Sequence, residues 1–210
     1  ALPISEDYLK VVEGKSLQFV PGTKYRYTNL NYELLALMAD QITGDHAVYM
    51  RDSILKPLGI QHTYYRADPG YLQYPELVNG YWDRYSDGIL ENITPLQTRN
   101  VASMIGDDGI VSTPHDAVLF LRGLMEGRVL KPETLELMMS WVKDGKGEER
   151  YGLGLTHARF EGAVAYGHSG GGLGAGCELY YFPKHDVYYF VGINLGTVTA
   201  SPLHKEVEST

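Results

Sequence analysis

Hydrophobic residues recur at helical spacing in the first part of the chain. Residues 31–43 predict an amphipathic helix, and Gly44 follows where a C-terminal cap belongs. Its apolar face is formed by Leu34, Leu35, Met38 and Ile42. A second helix is predicted from Ala47 to Lys56, because the sequence Pro57-Leu58-Gly59 ends a helical pattern.

A third helix has the clearest boundaries in the sequence. Thr113 fits the N-cap, Pro114 the first helical position, and Gly127 the C-terminal end. Its apolar stripe consists of Val118, Leu121, Leu124 and Met125. A shorter helix is predicted after Pro132.

The pattern changes to strands near Tyr151. Short aromatic or β-branched runs predict strands at Tyr151 to Leu155, Ala163 to Tyr166, Glu178 to Phe182 and Val187 to Ile193. Short connections such as these join antiparallel neighbours. The tyrosine-rich segment 64–97 lacks periodicity and is predicted to be a long ordered loop or small lobe. Helices followed by a strand meander indicate an α+β fold, with an antiparallel sheet flanked by helices.

Composition narrows the range of functions. The 210 residues suit a single domain, and the net charge of -8, without a local basic cluster, argues against a nucleic-acid partner. No apolar run is long enough to predict a transmembrane segment. Cys177 is the only cysteine, which excludes an internal disulfide and a multi-cysteine zinc site. We also expect neither a metal nor an organic cofactor.

Three local patterns stand next to these elements. Residues 21–29 lead into the first helix, residues 106–113 lead into the third, and residues 166–171 end a strand. The triplet Tyr27-Thr28-Asn29 matches a Y-x-N motif, and His168-Ser169-Gly170 matches an H-x-G motif. In this order they resemble the serine β-lactamase/DD-peptidase superfamily. The resemblance is to the branch with class C β-lactamases, DD-carboxypeptidases, D-aminopeptidases and related esterases, and it implies a β-lactamase/transpeptidase-like fold.

The resemblance also implies roles for individual residues. These enzymes cleave an amide or ester through a serine acyl-enzyme, which needs a base for the serine proton and an acid for the leaving group. It assigns acid/base work to Tyr27, polar support to Asn29 and a cleft-facing position to His168, so these three catalytic candidates should converge on one cleft. Ser169, Gly170 and Gly171 are the substrate-binding candidates, with the Gly171 backbone N–H as an oxyanion donor.

His168 lies where many β-lactamases carry lysine. An ordinary histidine is largely neutral at pH 7 and supplies little fixed positive charge for a substrate carboxylate. We therefore favour a DD-peptidase-like, D-amino-acid peptidase or esterase activity over a dedicated β-lactamase, among D-Ala-D-Ala-type peptide, β-lactam and ester substrates. Handling peptidoglycan implies an extracytoplasmic location, periplasmic or secreted.

Two serines within the chain suggest other nucleophiles. Ser169 lies in a G-x-S-x-G pattern, the nucleophile elbow of α/β-hydrolase-type esterases, but that motif needs a strand, a sharp turn and then a helix. The glycine-rich stretch 170–176 is unsuited to starting a helix. Ser53 begins an S-x-x-K pattern, but it follows Y-x-N, so we interpret it as structural and expect it to be remote from Tyr27.

The S-x-x-K segment of the family is therefore expected to lie outside these 210 residues. On this hypothesis residues 1–210 form one truncated β-lactamase-like domain, without the N-terminal nucleophile segment and most of a C-terminal helix. We expect such a piece to be inactive alone, with a groove beside Tyr27 and His168 or a second chain completing the cleft.

A different class of function stays open. The chain could be a non-catalytic relative that binds peptidoglycan or another partner after losing the nucleophile. Retention of Tyr27, Asn29 and His168 favours the enzyme, because a pure binding domain has little need of an acid/base tyrosine.

Overall fold

The computed structural model describes residue 10 and residues 12–65, 74–96 and 106–204. The helices are α1 (Asn29–Thr43), α2 (His46–Met50), α3 (Pro114–Met125) and α4 (Pro132–Met138), and α2 continues into a π-helical segment over Arg51–Leu55. The short strands are β1 (Tyr64–Tyr65), β2 (Tyr81–Trp82), β3 (Glu91–Asn92), β4 (Ile110–Val111), β5 (Val142–Lys143) and β6 (Glu149–Tyr151). The longer strands are β7 (Thr156–Phe160), β8 (Ala163–Gly171), β9 (Gly176–Phe182) and β10 (Val187–Ile193).

The second half of the chain forms one antiparallel sheet. Its six described strands lie in the order β10-β9-β8-β7-β6-β5, so each strand pairs with its neighbour in sequence. Helix α3 packs on β9 and β10. Helices on an antiparallel meander confirm the predicted α+β class. Within the described residues, no helix combines the length and the hydropathy needed to cross a membrane.

Strand boundaries agree with the prediction in part. Strand β10 covers the predicted range, whereas β8 continues past Tyr166 to Gly171. The predicted strand Tyr151 to Leu155 is wrong, because β6 ends at Tyr151 and the chain turns over residues 152–155. Gly154 has φ +89° there, a conformation that interrupts extended backbone. Strand β7, which follows this turn, was not predicted.

Helix α3 forms the main core with the sheet. The side chain of Thr113 accepts a hydrogen bond from the Asp116 N–H and caps the helix as predicted. Leu121 and Leu124 are almost fully buried and cluster with Leu155. The predicted apolar stripe is therefore the face that packs on the sheet.

Helix α1 has a different environment. Its boundaries extend the prediction by two residues at the start, and Gly44 caps it with φ +83°. The buried residues are Glu33 and Ala36. The apolar face remains exposed, at 39% for Leu34, 55% for Leu35, 59% for Met38 and 82% for Ile42. The described part of the chain leaves this face open to solvent.

The tyrosine-rich segment is ordered around a small hairpin. Strands β2 and β3 pair, and Tyr81 also bridges Leu195 in parallel. The carboxylate of Asp83 is fully buried and accepts hydrogen bonds from the backbone N–H of Asp87 and Gly88 and from the Ser201 hydroxyl. This agrees with the small lobe predicted for residues 64–97, although residues 66–73 and 97 lie outside the described residues. Any start of the C-terminal helix within residues 205–210 also lies outside them.

Candidate active site

Tyr27 and His168 come together where α1 begins beside β8. Thr28 has extended backbone at the N-cap, with φ -153°, so Tyr27 leaves the helix axis and turns towards the sheet. The ring of Tyr27 lies 5.8 Å from the His168 ring, 5.8 Å from the Tyr151 ring and 5.6 Å from the Tyr32 ring, measured between centroids. Tyr27 keeps 40% of its surface exposed. Its phenol can thus meet a ligand while its ring packs on three others.

Hydrogen bonds connect the rings beneath Tyr27. The Tyr151 hydroxyl lies 2.9 Å from His168 Nε2 and also contacts the Tyr32 hydroxyl. His168 Nδ1 lies 2.6 Å from the Ser169 carbonyl oxygen. Burial raises the pKa of the Tyr151 hydroxyl, so this group keeps its proton. Both ring nitrogens of His168 therefore already have partners within the protein.

Asn29 lies at the first position of α1, and its side chain interacts with the Asp107 carboxyl in a way that favours the charged form of this acid. Burial raises the pKa of the Asp107 carboxyl, and the nearby charge of Asp108 adds to this effect. Glu33, one helical turn after Asn29, is buried, and its pKa is raised by burial and then by Asp107. Glu33 Oε2 and Asp107 Oδ1 are both buried without a hydrogen-bond partner. Two neighbouring carboxyl groups thus lie behind Asn29, in surroundings that disfavour charge on either.

A second set of side chains holds the Asp107 turn against α1. Asp40 Oδ1 lies 2.7 Å from His46 Nδ1, and His46 Nε2 lies 3.0 Å from the Tyr65 hydroxyl. Tyr65 in turn accepts a hydrogen bond from the Gly106 N–H. Burial raises the pKa of Tyr65 to about 12, so this Asp-His-Tyr chain supplies no ready nucleophile. It joins two helices, a strand and the turn that carries Asp107.

Residues 169–171 form the exposed end of β8. Ser169 pairs with Glu178, and Gly171 pairs with Gly176 across the β8–β9 hairpin. A Cβ atom on Gly171 would collide with Thr197 Oγ1, so a larger residue here would displace Thr197. Strand β8 leads into strand β9 without an intervening helix, which removes the context that a nucleophile elbow at Ser169 requires. The α/β-hydrolase alternative does not fit this fold.

Ser53 lies on the exposed surface of the π-helical segment 51–55. The lysine of its S-x-x-K pattern, Lys56, forms an exposed ion pair with Asp52, at 2.6 Å between Nζ and Oδ1. This lysine is held in an exposed ion pair, whereas a catalytic base would need a site sheltered from solvent.

Several residues of the site were not predicted from the sequence. Tyr32 lies one helical turn after Asn29, so helical periodicity could have placed it beside the Y-x-N motif. Tyr151, Asp107 and Glu33 carry no local pattern that separates them from ordinary tyrosines and acids. No three His, Cys, Asp or Glu side chains in the described ranges lie close enough together to hold a metal ion.

Comparison with known proteins identifies the family. Residues 2–204 match the Beta-lactamase family profile. The chain belongs to the beta-lactamase family. This agrees with the resemblance carried by the Y-x-N and H-x-G motifs.

Curated relatives of the family extend this result. A putative D-alanyl-D-alanine carboxypeptidase of Escherichia coli K12 is 22% identical over 197 residues, covering 77% of this chain and 44% of the relative. A D-aminopeptidase of Gluconobacter oxydans is 26% identical over 164 residues, covering 77% of this chain and 30% of the relative. The chain thus spans less than half the length of these relatives.

A solved structure supports the fold. The D-stereospecific amidohydrolase from a Streptomyces species superposes with a TM-score of 0.78 at 21% sequence identity. The superposition covers 99% of this chain and 61% of the amidohydrolase. Together with the family match, this confirms the β-lactamase/transpeptidase-like architecture.

Proposed function

We propose that this chain forms most of the active site of a serine hydrolase that cleaves amides or esters of D-amino acids through an acyl-enzyme. The convergence of the Tyr27 ring on His168 at 5.8 Å, beside Asn29 and the open end of β8, carries this proposal. The curated carboxypeptidase and D-aminopeptidase relatives support the reaction class. On this proposal the nucleophilic serine lies outside the 210 residues. Ser53 and Ser140, which begin the two S-x-x-K patterns, are exposed, and Ser169 lacks the helix that a nucleophile elbow requires.

Tyr27 acts as the proton donor in this mechanism. Burial raises its pKa, and Tyr32 and Asp107 raise it further, so the free phenol remains protonated at neutral pH. It can protonate the leaving group directly. For Tyr27 to accept the serine proton instead, a nearby cation must stabilise the phenolate, and the family resemblance assigns this part to the lysine of S-x-x-K.

Asn29 and the end of β8 bind the substrate. The Asn29 amide both donates and accepts, so its carbonyl oxygen can bind the catalytic lysine or a substrate N–H, and its amino group can bind a substrate carbonyl. The exposed residues Ser169 to Gly171 offer a strand edge to an extended substrate, with the Gly171 N–H as an oxyanion donor.

The occupied nitrogens of His168 bear on the choice of substrate. A neutral ring with both nitrogens bonded inside the protein offers no N–H to a substrate carboxylate. We therefore favour D-amino-acid amides, peptides and esters over β-lactams that carry an obligatory carboxylate.

The test uses the longer natural protein. We expect hydrolysis of a D-amino-acid p-nitroanilide, weak or absent hydrolysis of its L-enantiomer and of a chromogenic β-lactam, and covalent labelling by a fluorophosphonate probe at a serine outside the present residues. Tyr27→Phe should lower kcat by about 10²–10⁴-fold. Tyr25→Phe, the matched removal of a neighbouring hydroxyl, should leave kcat nearly unchanged. Absence of both labelling and hydrolysis would support a non-catalytic binding protein, and labelling at Ser169 would refute the assignment of the nucleophile.

A further inference from the structure

The hydrogen bonds beneath Tyr27 run in one direction. The Ser169 carbonyl oxygen only accepts, so His168 Nδ1 carries the hydrogen in that bond. In the neutral ring Nε2 then has only a lone pair, so the Tyr151 hydroxyl donates to it. Tyr151 donates its one hydroxyl hydrogen in this bond and therefore accepts a hydrogen bond from the Tyr32 hydroxyl. The order of donation is Tyr32 to Tyr151, Tyr151 to His168 and His168 to Ser169.

This chain joins the three surfaces on which Tyr27 packs. Tyr32 belongs to α1, Tyr151 ends β6, and His168 lies on β8, so the bonds connect a helix to two strands of the sheet. Tyr151 is buried, and its ring meets the His168 ring edge-on with centroids 5.5 Å apart. Each bond in the chain fixes the position of one ring that contacts Tyr27. Tyr25 also stacks on Tyr151, with centroids 5.3 Å apart, but its hydroxyl has no place in the chain.

We propose that Tyr151 and Tyr32 are positioning residues that lock the His168 ring in place and so fix the orientation of the Tyr27 phenol. The part concerning catalysis rests on the proposed function. The lock itself depends only on the geometry. A hydroxyl group that reacts must be held close to its productive orientation, since a displacement of about 1 Å can cost on the order of 10²-fold in rate.

The first experiment observes the lock without using activity. In the longer natural protein, ¹⁵N-labelled histidine at alkaline pH should show His168 as the Nδ1–H tautomer. Tyr151→Phe should shift the Nε2 resonance of His168, because this nitrogen loses the hydrogen bond it accepts, and should move the Tyr27 ring resonances, which are assigned by their loss in Tyr27→Phe. Tyr32→Phe should cause a smaller change of the same kind. Tyr25→Phe is the control, because it removes a hydroxyl from the same aromatic cluster, and it should change neither signal.

The second experiment measures kinetics on a D-amino-acid p-nitroanilide. Tyr151→Phe should lower kcat by at least about tenfold with KM within about twofold, whereas Tyr25→Phe should leave both unchanged. An Nε2–H tautomer in the wild-type protein, or an unchanged His168 signal in Tyr151→Phe, would overturn the lock. Equal effects of Tyr25→Phe and Tyr151→Phe would reduce Tyr151 to a packing role and also overturn it. If the resonances change as expected while the wild-type protein hydrolyses none of the substrates, the lock stands and the proposed function fails.

Discussion

Helices α1 and α3 have similar apolar patterns and different surroundings. The stripe of α3 lies against the sheet, where Leu121 and Leu124 are 2% and 4% exposed. The stripe of α1 faces outward, and the side chains that α1 buries are Glu33 and Ala36. The described residues therefore cover the apolar face of α3 and leave the apolar face of α1 exposed.

This difference separates two kinds of information in a sequence. The spacing of apolar residues states which face of a helix is apolar, whereas burial depends on what lies opposite that face. For α3 the opposite element is the strand meander that follows it in the same chain. The inward side of α1 carries Glu33 and Tyr32 of the candidate site, so this helix contributes its polar face to the site.

The largest expected effect tests burial directly. Leu124→Ala removes a side chain from the core between α3 and the sheet and should lower the free energy of unfolding by about 2–5 kcal/mol. Ile42→Ala, its counterpart on the exposed face of α1, should change it by no more than about 0.5 kcal/mol. Urea denaturation of both variants gives the comparison. A loss at Ile42 as large as that at Leu124 would mean that the α1 face is covered in solution.

A smaller effect concerns how the two helices begin. Thr113 caps α3 through its side chain, whereas Thr28 precedes α1 without a side-chain capping bond. Thr113→Ala should therefore destabilise the protein by about 0.5–2 kcal/mol, while Thr28→Ala should cost almost nothing. Thermal denaturation of the two variants at equal concentration measures the difference. Equal losses would contradict the distinction between a capped and an uncapped start.

The smallest effect has the opposite sign. The pKa of Glu33 is raised in the folded protein, so protonation of this carboxyl stabilises the fold. This stabilisation is lost as the pH rises through the pKa of the folded state. Glu33→Gln should therefore raise the melting temperature at pH 7, by about 2–4 °C for each kcal/mol gained. The gain should shrink as the pH falls towards about 4, where the carboxyl of the unfolded chain takes up its proton.

The control for this prediction is Glu76→Gln, at an exposed position in a turn. Its melting temperature should follow the wild-type protein across the same pH range. A lower melting temperature for Glu33→Gln at pH 7 would mean that Glu33 is stabilised by a favourable partner in solution.

Most of the architecture was accessible from local patterns. Caps and breakers define α3 closely, and β-branched and aromatic residues define β10, because these signals act within one element. The turn at residues 152–155 was missed because Tyr151-Gly-Leu-Gly-Leu155 has the apolar alternation of a strand. Its glycines adopt a turn where the segment packs on α4, with Leu153 N–H donating to the Met138 carbonyl.

The residues of the candidate site also fall into two groups, those that a local pattern identifies and those that only the fold brings to the site. Tyr27, Asn29 and His168 were found because they belong to short motifs with a known order. Tyr151 reaches the site through the pairing of β6 in the sheet, and its contact with Tyr32 spans 119 positions. Asp107 reaches Asn29 through the turn at Gly106, across roughly a third of the chain. Such contacts carry no local signal.

The buried carboxylate of Asp83 has a consequence for the order of folding. It bonds to Ser201, 118 positions later in the chain, and the neighbouring Trp82 donates to Thr199, 117 positions away. All of the strands β5 to β10 lie within the loop that these bonds close. Closing so long a loop is entropically costly until the intervening chain is ordered. We therefore expect the meander to form first and the small hairpin to dock onto it late, so that a chain emerging in sequence order holds this hairpin unsupported until Thr199 and Ser201 have emerged.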